Sequence, residues 1–260
     1  MVAFATIFLI NKELFGKILG GKIVNNYTQE PQRREVNAAV GLNAFLTRMY
    51  GIMTLAVLVS AATAYLSMTA FKTTLMLFAA QHTGMIWLIL LLPIALSMGV
   101  SFSATRNPAG AFLMLMLTAI IYGFEFALIA GAFTSANIAA AFVSSAVVFI
   151  TMAFYGTVTK RDLTRAGSHA MAALIALIIA TVVNMFLRSA AITYVFSYIA
   201  VIIFVILTAW DAQKMKAIYV NYGHEVSMTG LAIQGALQLY LDFVNLFIQF
   251  LQIFGMSNRD

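Results

Sequence analysis

The chain lacks cysteine altogether, has three prolines, and carries few charges: 9% of its 260 residues are Asp, Glu, Lys or Arg. Without cysteine there can be no disulfide, no thiolate metal site and no cysteine nucleophile, and the redox compartment leaves no trace. The scarcity of charge excludes more. A soluble domain covers its surface with about 25% charged residues, so a soluble enzyme, a nucleic-acid module and a disordered regulator are all excluded. Three catalytic signatures are missing as well: an H-E-x-x-H zinc pair, a G-x-S-x-G elbow, and a glycine loop leading to Lys and Ser/Thr. The expectation is a protein that is not an enzyme and has no bound cofactor. What is abundant is apolar side chain, 62% of the total. The net charge of +6 does not point to nucleic acid, because the basic residues punctuate apolar runs instead of clustering on one wet face. The class is an all-α integral membrane protein, with the lipid bilayer as its first partner.

A helical crossing needs about 20 apolar residues. Seven segments qualify, near 49–69, 84–104, 109–133, 136–158, 168–187, 190–212 and 229–255. Short links make neighbours antiparallel in one bundle. The third has a readable start, Asn107 as N-cap and Pro108 at the first helical position. The faintest boundary lies between the fifth and sixth, where only Arg188 and Ser189 interrupt the apolar pattern. Residues 1–43 read as a cytoplasmic N-terminal segment and 44–260 as the seven-helix domain. Within the former, VAFATIFLI is too short to span and its charges follow it, which suits an interfacial anchor or an overlong start better than a secretory signal. The stretch from Asn25 to Asn37 reads as a solvated tail.

Lys and Arg set the orientation. With the N-terminus cytoplasmic, twelve of the fifteen fall on that side, leaving Lys72, Arg188 and Arg259 opposite. An odd number of crossings then puts the C-terminus outside.

Three charged residues fall inside these segments: Glu125, Asp211 and Asp242. An ionisable group at membrane depth costs roughly 2.5–3.5 kcal/mol on insertion scales unless it is neutralised or faces water. Asp242 is the strongest candidate, because it belongs to a row. Gln234, Gln238, Asp242, Asn245, Gln249 and Gln252 are spaced 4, 4, 3, 4 and 3, which keeps them on one helical face. Such a stripe belongs in the bundle interior or along a wet path. Two readings stay open, a gated path and simple interhelical hydrogen bonding by the amides. Asp211, at the end of the sixth segment, is either an interfacial acid paired with Lys214 one turn on or a second buried acid within reach of Arg106. Glu125 lies about 25 Å into the third segment, counted from Pro108. It reads as an interfacial acid or an ion ligand at the outer mouth. His169, beside the basic loop, reads as interfacial. Paired acids on the last two helices resemble intramembrane aspartyl proteases, but the Gly-x-Gly-Asp hallmark is missing, since Leu239, Tyr240 and Leu241 precede Asp242.

Five segments resemble the Bax inhibitor-1 family, especially its bacterial branch: RREVNAAVGLNAFLTRMYGIM (33–53), FYGTVTKRDLTRAGS (154–168), VVNMFLRSAA (182–191), LTAWDAQKMK (207–216) and LQLYLDFVNLFIQFLQIFG (237–255). The resemblance implies six helices around a central C-terminal one, in the bacterial inner membrane. It also implies a pH-sensitive calcium leak whose paired-aspartate sensor is Asp211 and Asp242, with Arg106 as the latch. Ca²⁺ and protons would then be the partners, the two aspartates the cation ligands, and Gln238, Asn245, Gln249 and Glu125 the ion path. The resemblance further suggests a membrane-bound AAA protease as a partner, and some bacterial relatives have Arg where this chain has Gln252.

Overall fold

The computed structural model describes residues 31–223 and 225–257. Among them the chain is helical throughout, with no strand: α1 (Pro31–Thr69), α2 (Lys72–Gln81), α3 (Thr83–Ser103), α4 (Pro108–Ala130), α5 (Ser135–Val158), α6 (Thr164–Leu187), α7 (Ala190–Tyr222) and α8 (Met228–Ser257). Six of these are long and apolar enough to cross a bilayer, α1 over Val40–Thr69 and α4 through α8. The second expected crossing is α3, 21 residues with Pro93 inside, of which Leu88–Ser103 is the described apolar part. The multi-pass all-helical architecture is therefore as expected, and the count of seven crossings depends on α3.

The ends form where the local chemistry places them. Asn107 caps α4, its side chain accepting from the Gly110 amide at 3.0 Å. Thr134 caps α5 through the Asn137 amide at 3.2 Å, and Ser189 caps α7 through the Ile192 amide at 3.3 Å. The faint boundary between α6 and α7 is a sharp reversal. Arg188 takes the left-handed conformation, φ 52°, which costs a non-glycine residue roughly 1–2 kcal/mol. Asn184 clamps that turn by donating to the Ser189 carbonyl at 3.2 Å and to Thr193 Oγ1 at 2.9 Å.

Three expectations change. Residues 70–83 are not a plain link but contain α2. α1 runs unbroken across residue 43, and residues 31–37, expected in a solvated tail, are helical; the anchor expected at residues 2–10 lies outside the described residues. α7 does not stop at Ala212 but continues through Tyr222. At 33 residues it is about 50 Å long, well beyond a hydrocarbon core of about 30 Å.

α8 is the centre. Its apolar window is 72% buried, against 22–39% in the other five crossing helices. α1, α3, α4, α5 and α7 all pack on it, whereas α6 stands behind α7 and packs chiefly there. Two glycines set the close approaches. A Cβ on Gly156 would collide with the Ala209 backbone, and one on Gly230 with the Ala104 backbone. The second contact brings the start of α8 level with the end of α3. Lys216 Nζ donates to the Thr157 carbonyl at 2.7 Å and Arg48 to Thr229 Oγ1 at 2.5 Å. These contacts gather Arg48, Arg106, Lys160, Arg161 and Lys216 at one end of the bundle, called here the basic end.

Candidate functional site: a seam of acids and amides between α7 and α8

The polar stripe of α8 turns toward α7. Gln238 Nε2 donates to Asp211 Oδ1 at 3.0 Å, and further along Ser197 Oγ donates to Gln252 Oε1 at 2.7 Å. Fourteen residues separate Ser197 from Asp211 on α7, and fourteen separate Gln238 from Gln252 on α8. The two antiparallel helices thus stay in register for about 21 Å. In that register Asp242 falls opposite Leu207, one helical turn along α7 from Asp211. The extension of α7 makes this meeting possible: Asp211 lies within the helix, not at its end.

Both aspartates are fully buried. Neither Asp242 oxygen has a hydrogen-bond partner among the described residues, nor has Asp211 Oδ2. Buried polar atoms are almost always satisfied, so three orphaned carboxyl oxygens one turn apart are a strong departure. Two carboxyls buried this close together cannot both be charged cheaply. Lys214 follows three residues after Asp211 on α7, and its ammonium lies 5.1 Å from the Trp210 ring centre.

The other expected residues are placed as follows. Asn245 and Gln249 are buried on the stripe and Gln238 is half-buried; Asn245 Nδ2 donates to the Leu241 carbonyl at 2.6 Å. Arg106 is exposed, just beyond α3, and is paired with neither aspartate among the described residues. The group that holds Asp211 is Gln238 in place of the expected latch; Arg106 lies in the exposed turn before Asn107. Glu125 is buried with Oε1 unpartnered, but on α4, away from the seam. His169 is exposed, its ring Nδ1 2.6 Å from the Arg165 carbonyl, as an interfacial residue would be. Among the described residues no three His, Asp or Glu side chains converge. Two carboxylates fall short of the six to eight oxygens of a resident Ca²⁺ site.

Two features were not anticipated. Tyr240, off the stripe, places its hydroxyl 2.6 Å from Ser60 Oγ, and Ser60 donates to the Ala119 carbonyl at 2.8 Å. No spacing rule marks a lone Tyr in an apolar run. Gln213, two residues past Asp211, braces the basic loop after α5 by accepting from the Leu163 amide and donating to the Arg161 carbonyl, both at 2.8 Å. That loop is tied to the acid-bearing stretch of α7.

The comparisons agree with this architecture. The family model described as inhibitor of apoptosis-promoting Bax1 matches residues 42–259. The inner membrane protein YbhL of Escherichia coli is 37% identical over 229 residues, covering 85% of this chain and 94% of that protein. The protein YrjE of Lactococcus lactis is 37% identical over 224 residues, 85% and 94%. The protein RP147 of Rickettsia prowazekii is 33% identical over 221 residues, 85% and 92%. With the match running from the first crossing through the central helix, this chain belongs to the Bax inhibitor-1 family of multi-pass membrane proteins.

Proposed function

We propose that the protein is a proton-responsive leak for cations, Ca²⁺ above all, in which Asp211 and Asp242 form the sensor. The observation that supports this most is the pair of orphaned Asp242 oxygens, wholly buried one turn from a second buried carboxyl. A structural acid would have found donors, whereas a sensor is built to change charge. As the pair gains or loses a proton, its field and its hold on Gln238 change, and the α7–α8 seam is what shifts. Oxygen ligands suit a hard cation, and in this reading Gln238, Asn245 and Gln249 line the route along the seam, with Glu125 standing apart on α4. The basic end faces the cytoplasm under the rule that Lys and Arg remain inside, so the sensor reads cytoplasmic acidity.

The test is Ca²⁺ entry into dye-loaded liposomes containing the purified protein, followed over a pH series. Flux above that of empty liposomes, varying with pH, is expected; Asp211→Asn and Asp242→Asn should each flatten the pH profile. Unchanged flux and profile in both variants would falsify the sensor.

A second reading rests on the braced basic loop. Lys160 and Arg161 are exposed on a loop that Gln213 holds rigid, a surface fit for a cytoplasmic partner such as a membrane-bound AAA protease. Co-purification with such a protease, undiminished by the two Asp→Asn changes and lost with Lys160→Glu, would favour this reading over the leak.

A further inference from the structure

On the side of α8 away from the acids, α1 and α5 do not close against each other. They leave a groove in two adjoining stretches that share Val57, Phe142 and Phe243 in their walls. One of about 400 Å³ runs from Tyr50 and Thr157 to Val57 and Phe142, and one of about 660 Å³ continues past Ser60 and Tyr240 to Met68 and Ser135. Its length, nineteen residues of α1 from Tyr50 to Thr69, is about 28 Å, close to the thickness of the hydrocarbon core. Both walls are crossing helices, and their outer rims, Leu58 on α1 and Val143, Val147 and Ile150 on α5, are largely exposed and apolar. The groove is not symmetric end to end. At the basic end Tyr50 and Thr157 bridge its walls through their hydroxyls at 2.8 Å, and just beyond stand the exposed Lys160 and Arg161. Lys216 is fixed there on the Thr157 carbonyl. The neighbouring acid, Asp162, is engaged with the Thr164 amide at 2.9 Å.

We propose that this groove holds one acyl chain of an anionic phospholipid from the leaflet at the basic end, with its phosphate met by Lys160 and Arg161. The apolar trough takes the chain, the hydroxyl bridge marks the trough's polar end near the ester that joins chain to glycerol, and the braced loop presents positive charge at headgroup level. Basic residues at such a level each attract an anionic headgroup. The inference stands apart from the leak, since the groove and the acids lie on different faces of α8.

The experiment uses the full chain reconstituted in vesicles of equal phosphatidylglycerol and phosphatidylcholine, extracted in mild detergent, with retained lipid identified by native mass spectrometry. Wild-type protein should retain one phosphatidylglycerol in preference to phosphatidylcholine, by on the order of tenfold for two basic residues. Ala146→Phe, which fills the trough, should lose that lipid. Lys160→Gln with Arg161→Gln should retain either lipid equally; both positions are on an exposed loop, so this arm stands even where Ala146→Phe fails to fold. Lipid retention unaltered by both variants, no retained lipid at all, or a free fatty acid in its place would overturn the proposal.

Discussion

The two polar faces of α8 treat burial in opposite ways. Toward α1 and α4, Tyr240 meets Ser60, and Ser60 passes the chain on to the Ala119 carbonyl, so each hydroxyl is answered. Toward α7, Asp242 has no hydrogen-bond partner for either oxygen and Asp211 has one for a single oxygen. Both faces are equally buried, so burial alone does not explain the contrast. An answered hydroxyl contributes about 1 kcal/mol of net stability, whereas an unanswered buried group takes 1–3 kcal/mol away. The first face holds the bundle together. The second weakens it, and a site kept at a loss in stability is where function is to be sought.

Substitutions can break or sharpen that contrast. The largest effect is expected from Asp242→Leu: replacing a poorly answered buried acid by an apolar side chain should raise stability by about 1–4 kcal/mol, read as a higher unfolding temperature in detergent, while the pH response of Ca²⁺ flux disappears. On the opposite face Ser60→Ala should lower stability by about 1–3 kcal/mol, because the Tyr240 hydroxyl is left without its buried partner, and the pH profile of flux should be unmoved. Smaller again is Ser197→Ala at the far end of the seam, which removes the bond to Gln252 and should cost about 1 kcal/mol without altering the flux profile. If Ser197→Ala changes that profile as much as Asp211→Asn does, the response belongs to the whole seam and not to its acids. The smallest effect is outside the membrane. Hydrogen bonds from Thr164, and to a lesser extent the Arg165 charge, hold the Asp162 carboxyl below its ordinary range. Such a group stabilises the folded state above the ordinary carboxylate pKa and loses that contribution on acidification. Asp162→Ala should therefore speed amide exchange at Thr164 at neutral pH, with the difference vanishing in acid.

Much of this could be read from residues alone, and the reasons differ by element. The α4 start was legible because Asn-Pro is a complete local signal, cap and first-turn residue together. The stripe on α8 was legible because helical periodicity projects Gln238, Asp242, Asn245 and Gln249 onto one face whatever surrounds them. The end of α7 was not. Asp211, Lys214 and Lys216 mark where apolar character stops, but helical hydrogen bonding does not stop with it, so α7 runs on past the bilayer. α2 was missed because its ten residues, KTTLMLFAAQ, carry no strong periodicity. The partner of Asp211 was missed for a different reason. Charge alone favours an arginine over an amide, but tertiary packing brings Gln238 to the carboxyl and leaves Arg106 in its polar turn.

The central claim is that Asp211 and Asp242 change charge as one coupled unit. It is tested most directly by infrared spectroscopy of the reconstituted protein, following the carbonyl stretch of protonated carboxyls through a pH series in wild type, Asp211→Asn and Asp242→Asn. Coupling predicts that removing either aspartate moves the titration of the one that remains. If each variant simply deletes its own step and leaves the other where it was in the wild type, the two acids titrate independently and the account is contradicted.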